Sequence, residues 1–250
     1  MENNTNLVWI EQFSVHASDT DYRSKGKLSF ILDIMQCAAD FAVGKLGISM
    51  EEILNAGMGW MMITLDLEFK RIPHPNDQLS VRTWSKGTKG ALWQRDYRIF
   101  DGDDLEIATA RTIWALVDIE KRKILRPNAL PVEVKHYSGD SVGDMPVKVT
   151  LPSDITMEEA YRYQVRYSGL DSNGHLNNAR CGDLCCDALP LTDWERTLKR
   201  FRITYIQEAT YDEELRIMVS SETKEGFYIR GIHGDKVYFE AVLDMGYEEL

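Results

Sequence analysis

The segment Val165-Arg166-Tyr167-Ser168-Gly169-Leu170-Asp171-Ser172-Asn173-Gly174-His175-Leu176-Asn177-Asn178 joins a strand pattern to a helix pattern through a turn. Before it, Tyr161-x-Tyr163-x-Val165 alternates as a half-buried strand does. After it, Cys181, Leu184, Cys185, Ala188 and Leu189 recur at helical spacing and stop at Pro190. Within it, Asp171, Asn173 and His175 fall on alternate positions. In an extended or gently turning segment such positions share one face, so an acid, an amide and an imidazole would meet. Asn177 and Asn178 are good N-cap residues, and the helix they open points its positive end toward that spot. A negatively charged oxygen developing on a carbonyl would be at home there. Asp-Ser-Asn-Gly is equally an ordinary turn sequence, and the segment alone does not separate the two readings.

The rest of the chain does. Downstream, strand patterns follow at Arg200–Ile206, Glu214–Glu222, Gly226–Ile232 and Lys236–Asp244, with a tight turn at His233-Gly234-Asp235. The same order is already present upstream. Trp9 to His16 reads as a strand, and Ser18-Asp19-Thr20-Asp21 as a polar turn. Phe30, Ile31, Ile34, Met35, Ala38, Phe41, Ala42 and Leu46 form a helical stripe ended by Gly47. Four strands are expected at Trp60–Lys70, Gln78–Lys86, Ala91–Phe100 and Glu106–Asp118, separated by turns at Pro73–Asp77, Gly87–Gly90 and Asp101-Gly102. The first helix is apolar around much of its circumference, which calls for a sheet wrapped about it.

Residues match as well as elements, the mark of an internal repeat. Phe13, Val15, Ser18 and Asp21 correspond to Tyr163, Val165, Ser168 and Asp171. A shift of two residues then aligns Gly26-Lys27-Leu28 with Gly174-His175-Leu176, and Cys37 with Cys185. Near the ends, Ala115–Asp118 aligns with Ala241–Asp244. On this alignment the first copy has Lys27 in place of His175. Between the repeats, Pro127, Pro131, Pro146 and Pro152 with Gly139 and Gly143 mark a connecting stretch across the surface. The expected division is an N-terminal repeat over 1–126, a linker over 127–155 and a C-terminal repeat over 156–250.

Composition bounds the partners. A net charge of −11 over 250 residues argues against nucleic acid, which needs a concentrated basic surface. The longest apolar run, Gly57–Ile63, is far too short for a membrane span, and Met1–Asn6 lacks signal-peptide character. A cytoplasmic protein is expected. Cys37, Cys181, Cys185 and Cys186 have neither metal-ligand nor disulfide spacing, so reduced, partly buried thiols are expected and no metal or cofactor.

With the duplicated strand, helix and meander and the D-x-N-x-H-x-N-N motif at Asp171–Asn178 in view, the chain resembles the acyl-acyl carrier protein thioesterases over essentially its whole length. Further points of likeness are Asp66–Lys70 with Pro73, Val81–Trp84 and Ala110-Arg111-Thr112-Ile113-Trp114. The resemblance implies an α+β double hotdog, two curved antiparallel sheets each wrapped around a helix. It also implies hydrolysis of a fatty acyl thioester on the phosphopantetheine arm of acyl carrier protein, releasing the fatty acid. The family's catalytic residues fall on Asp171, Asn173 and His175, and its later acidic residue on Glu208. Plant members commonly carry a cysteine after that glutamate; this chain has Ala209, which removes a cysteine nucleophile from the site if the family chemistry holds.

Under that resemblance Glu208 and His175 activate a water, Asn173 fixes geometry, and amides near Gly174 and Asn177–Asn178 steady the oxyanion. Asp171 either orients its neighbours or attacks the acyl carbon, and the sequence does not choose. Met35, Ala38, Trp60 and Met62 are expected to line the acyl site, with Asn177 and Asn178 at its head. Arg162, Arg166, Lys199, Arg200 and Arg202 are the expected patch for an acidic carrier protein. Hydrolysis of acyl-coenzyme A and non-catalytic acyl binding are the alternatives. Two repeats in one chain already form a pseudo-dimer, which leaves pairing into a homodimer open.

Overall fold

A computed structural model describes residues 7–45, 47–189 and 195–247; Leu46 and Pro190, expected at two helix ends, lie outside them. The first repeat comprises β1 (Trp9–Ser14), α1 (Leu28–Gly44), α2 (Met50–Asn55), β2 (Met58–Phe69), β3 (Gln78–Lys89), β4 (Leu92–Phe100), β5 (Glu106–Asp118) and a short β6 (Lys123–Ile124). The second comprises β7 (Met157–Gln164), α3 (Asn178–Asp187), β8 (Arg196–Tyr205), β9 (Glu214–Ser220), β10 (Phe227–His233) and β11 (Lys236–Tyr247). All expected strands form. α2 was not expected, although its signature is plain: Ser49 accepts from the Glu52 amide, and Glu52 accepts from Ser49 in return. The expected turn at Gly87–Gly90 is shorter, because β3 runs to Lys89 and pairs Lys89 with Leu92.

The strands make one eleven-stranded antiparallel sheet ordered β1-β3-β4-β5-β2-β8-β11-β10-β9-β7, with β6 on β5. Each half has the same internal order, and the halves join through β2 and β8, where Thr64 faces Thr204 and Leu67 faces Phe201. Strand alternation sets the two faces. In β4, Trp93, Tyr97 and Ile99 join the main core, while Gln94 bonds outward to the Gly143 carbonyl. That core is continuous across both repeats, from Ile31, Met35 and Ala38 of α1 to Leu184 and Cys185 of α3. The helices touch closely at Gly182, where an added Cβ would lie 2.9 Å from Leu32 Cδ1.

Asp66 fastens the joint. It is 5% exposed and accepts from Arg200 Nε and Nη2 at 2.8 Å each and from Arg111. Burial pushes its carboxyl up, but the two guanidiniums win and hold it below its ordinary value. The connecting stretch crosses the outer face as expected, though it also plugs it. Val149 is buried there against Tyr228 and Val242, Val142 N–H donates to Asp96, and Asp140 takes Arg98 in two bonds of 2.7 and 3.0 Å, whereas Leu130 packs on the other side with Ile48, Ile53 and Leu116.

Hydrogen bonds fix the repeat correspondence. Asp21 N–H donates to the Lys25 carbonyl as Asp171 N–H does to that of His175, and Lys27 N–H donates to Asp19 as Asn177 N–H does to Gly169. His175 therefore corresponds to Lys25, not Lys27, and Asn177 to Lys27. The two-residue shift drawn from the sequence is not present. At the C-terminal strands the Ile107 carbonyl accepts from Lys70 and Arg71 as that of Tyr238 does from Ile206 and Gln207. That makes Ala110 the counterpart of Ala241. Ala115 packs on the outer face with Ile63 and Ile113, whereas Ala241 is in the main core, so the pairing of Ala115 with Ala241 fails.

Candidate active site

Asp171 builds the turn that carries the candidate site. Its Oδ1 accepts the backbone N–H groups of Asn173 at 2.8 Å and His175 at 3.1 Å. Gly174 N–H closes the turn on the Asp171 carbonyl at 3.1 Å, and Gly174 takes φ +79°, a left-handed conformation that glycine adopts without the strain a side chain brings. The segment is thus tightly curled, not extended. Asp171 Oδ1 is engaged by backbone amides, Asn173 is exposed, and the Gly174 amide is bonded within the turn. The three motif residues are carried on this turn, not on alternate positions of an extended strand.

His175 is brought to Glu208 instead. Leu176 N–H donates to the Ala209 carbonyl at 2.7 Å, and His175 bridges Thr210 as an isolated strand pair. Through this, His175 Nδ1 stands 3.5 Å from Glu208 Oε1, both groups being partly exposed. That is longer than a hydrogen bond, in the range that such pairs close when a substrate is seated. Glu208 Oε2 accepts from Arg122 Nη2 at 2.5 Å. Arg122 follows β5, far from the motif in sequence, and no linear pattern marks it.

Asn177 caps α3 by accepting from Ala179 N–H at 2.7 Å. Arg180 N–H bonds the Asn177 carbonyl at 3.0 Å. Among the described residues the Asn178 N–H has no partner, so the first amide of α3 is open at the positive end of the helix. Tyr205 Oη holds this end by donating to the Asn178 carbonyl at 3.1 Å. Asn177, Asn178, Ala179 and Tyr205 form one wall of a cleft whose other side is Leu32, Asp33, Met35 and Gln36 of α1, with Met62, Leu65 and Tyr97 from the sheet. Its internal volume is about 20 Å³, room for one water.

Met35, Met62, Asn177 and Asn178 thus share this cleft. Ala38 is fully buried in the core beyond it, and Trp60 stands off it, edge-on to Trp93 with ring centroids 5.3 Å apart. Leu32, Leu65, Tyr97 and Tyr205 were not expected; inward alternation in β2 and β4 was the available signal for Leu65 and Tyr97. Among the cysteines, burial pushes the Cys181 and Cys186 thiols up to about 12 and Cys185 well above its ordinary value. Such thiols are poor nucleophiles. The expected basic patch is largely neutralised: Arg162 pairs with Glu159 and Glu214, Arg166 with Asp212, Arg200 with Asp66 and Glu68, and Arg202 with Glu225. No helix among the described residues is long and apolar enough to cross a membrane.

Comparison with known proteins agrees with this architecture. Models described as the acyl-ACP thioesterase N-terminal and C-terminal domains match residues 6–129 and 153–237. The chain is 24% identical over 187 residues to an acyl-[acyl-carrier-protein] hydrolase, FATB2, of Cuphea viscosissima, covering 70% of this chain and 45% of the relative. It is 22% identical over 228 residues to a palmitoyl-acyl carrier protein thioesterase of Arabidopsis thaliana, covering 86% and 55%. The chain therefore spans about half the length of the curated relatives it matches. Among solved structures, an acyl-ACP thioesterase from Bacteroides thetaiotaomicron superposes with a TM-score of 0.82 at 20% identity, covering 98% of this chain and 100% of that one. A 12:0-ACP thioesterase from Umbellularia californica gives 0.79 at 16% identity, covering 96% and 98%. These likenesses show the double hotdog fold.

Proposed function

The chain belongs to the acyl-ACP thioesterase family, and from that premise we propose that it hydrolyses fatty acyl thioesters of acyl carrier protein to the free fatty acid in the cytoplasm, ending fatty acid synthesis. The observation that carries the reading is the approach of His175 Nδ1 to Glu208 beside a cleft headed by the open start of α3. Glu208 holds the Nδ1 side of the ring, which leaves Nε2 as the base. Nε2 takes a proton from water as its oxygen attacks the thioester carbon. The Asn178 N–H and the α3 dipole stabilise the resulting oxyanion. When the tetrahedral species collapses, the C–S bond breaks and His175 returns the proton to the departing thiolate.

In this reading Asp171 orients rather than attacks, because its Oδ1 already serves two amides. Asn173, exposed in the free protein, meets the incoming pantetheine arm. The first repeat (1–126) takes the acyl chain past Met35 and Met62, the second (156–250) supplies the chemistry, and 127–155 straps them. Both halves of the site come from one chain, so a homodimer is not needed for it. The ion pairing of the expected basic patch is the specific observation that favours acyl-coenzyme A as an alternative donor.

Thiol release from matched acyl-acyl carrier protein and acyl-coenzyme A panels, native against His175→Ala, tests both. Carrier-dependent turnover that falls with salt and is lost in the variant is expected. Turnover of coenzyme A esters alone would move the donor, and undiminished turnover in the variant would remove His175 from the mechanism.

A further inference from the structure

The interiors of the two repeats differ at one level. Along the inner face of β4, Tyr97 lines the cleft at the start of α3, Arg95 comes next, and Trp93 lines a second and larger cleft, of about 720 Å³, under the connecting strap near Leu130 and Val134. On the strand Arg95 therefore lies between the residues that line the two clefts, itself in the lining of neither. Its Nη1 donates to Thr83 Oγ1 at 3.2 Å, and Thr112 lies opposite it on β5. Asp40, at the lip of α1, is the acidic group that acts on it, and among the described residues none pairs with it directly. The guanidinium is deep enough that burial holds it below its ordinary value, yet part of its surface stays accessible.

In the second repeat the same level is apolar. Ala110 corresponds to Ala241, and the strand registers carry that match across the sheet. Thr112 then corresponds to Leu243, Arg95 to Phe227, Tyr97 to Ile229 and Thr83 to Val219. All four counterparts lie in the main core. The fold therefore builds this level from hydrocarbon when nothing else is asked of it, and the polar belt of the first repeat is not a requirement of the architecture. Leaving a guanidinium there without a carboxylate partner is costly.

We propose that Arg95, with Thr83, Tyr97 and Thr112, is the end-stop of the acyl channel and sets the longest chain the protein accepts. The inference rests on the thioesterase reading for its substrate class. Methylenes passing Met35 and Met62 gain contact with apolar walls. The first one to reach the belt must displace hydration from a charged group without a compensating bond. The space under the strap beyond Trp93 is the room that chain growth would enter if the stop were removed.

The test is binding of free fatty acids of increasing length, read by tryptophan fluorescence through Trp60 and Trp93, with turnover of the matching acyl-acyl carrier protein series alongside. In the native protein affinity should rise about fourfold per methylene and then stop. Arg95→Met should move that break by at least two carbons and raise the ratio of long-chain to short-chain kcat/KM tenfold or more. Arg95→Phe, which copies the second repeat, should keep or shorten the limit. A native series that rises without a break to eighteen carbons overturns the proposal, whether or not the variants fold. So does an unmoved break in a folded Arg95→Met protein. A clear break that moves in the variant, with no turnover of any thioester, would sink the thioesterase reading and leave the stop standing.

Discussion

The turns at Asp21–Lys27 and Asp171–Asn177 have one backbone and two sets of side chains. Asp21 accepts the N–H groups of Arg23 and Lys25 as Asp171 accepts those of Asn173 and His175. Ser24 sits at φ +59° where Gly174 sits at +79°. Opposite the turns, Gly26 N–H donates to Pro73 as Leu176 N–H donates to Ala209, which sets Ile72 in the place of Glu208. One copy therefore offers an arginine, a lysine and an isoleucine where the other offers an amide, an imidazole and a carboxylate. The aspartate serves the backbone in both copies; the other three positions differ, and only the second copy has groups there that could carry the proposed chemistry.

The largest expected effect breaks that division directly. His175→Lys, which copies Lys25, should lower kcat/KM for thioester hydrolysis by about 10²–10⁴-fold, the span of a lost general base, while Lys25→Ala leaves it unchanged. Equal losses in a thiol-release assay would mean that both turns contribute. Next is the joint between the repeats. Asp66→Asn takes the shared carboxylate from two part-buried guanidiniums, of which Arg200 keeps Glu68, and should cost about 1–3 kcal/mol in urea unfolding. The pH dependence follows from the depressed Asp66 carboxyl. Its contribution is fully present above about pH 4 and is lost as pH falls through the lower folded value. The variant should show a shallower loss of stability in that acid window.

A smaller pair of changes isolates the shared aspartates. Asp21→Ala and Asp171→Ala should each destabilise by about 1 kcal/mol, the worth of such a cap, and only the latter should also slow hydrolysis. Single turnover in ¹⁸O-labelled water, followed by mass analysis of the peptide holding Asp171, should find no label there; label would make Asp171 the nucleophile. The smallest effect concerns the left-handed position. Ser24→Gly should gain about 0.5 kcal/mol, relief from the left-handed conformation net of glycine's entropy, whereas Gly174→Ala should lose about 1 kcal/mol by thermal unfolding.

Much of the molecule was legible before any coordinates. Strand alternation in Gln78–Lys89 and Glu106–Asp118, helical spacing in Leu28–Gly44 and the turn residues between them are local consequences of side-chain packing, so each element stands where its pattern placed it. The capping box of Ser49 and Glu52 is an equally local signal. The alignment of the repeats was less secure. Lys27 resembled the counterpart of His175 because Gly26 and Leu28 flank it, but backbone bonds, which side-chain identity does not report, place Lys25 there.

The family resemblance implies Glu208 as the later acid; by itself the sequence determined the tandem architecture and the turn at Asp171–His175. Those rest on periodicity, turn chemistry and a long motif, all properties of neighbouring residues. Only the tertiary structure decided that Asp171 Oδ1 is bonded to two amides of its own turn, that His175 approaches Glu208, that Arg122 holds that glutamate, and that Arg95 stands inside the first repeat where Phe227 fills the second. All but the first join residues separated by a strand register or a sheet crossing. Such contacts follow from which strand pairs with which and at what offset, and one residue of slip would turn every one of those side chains to the other face.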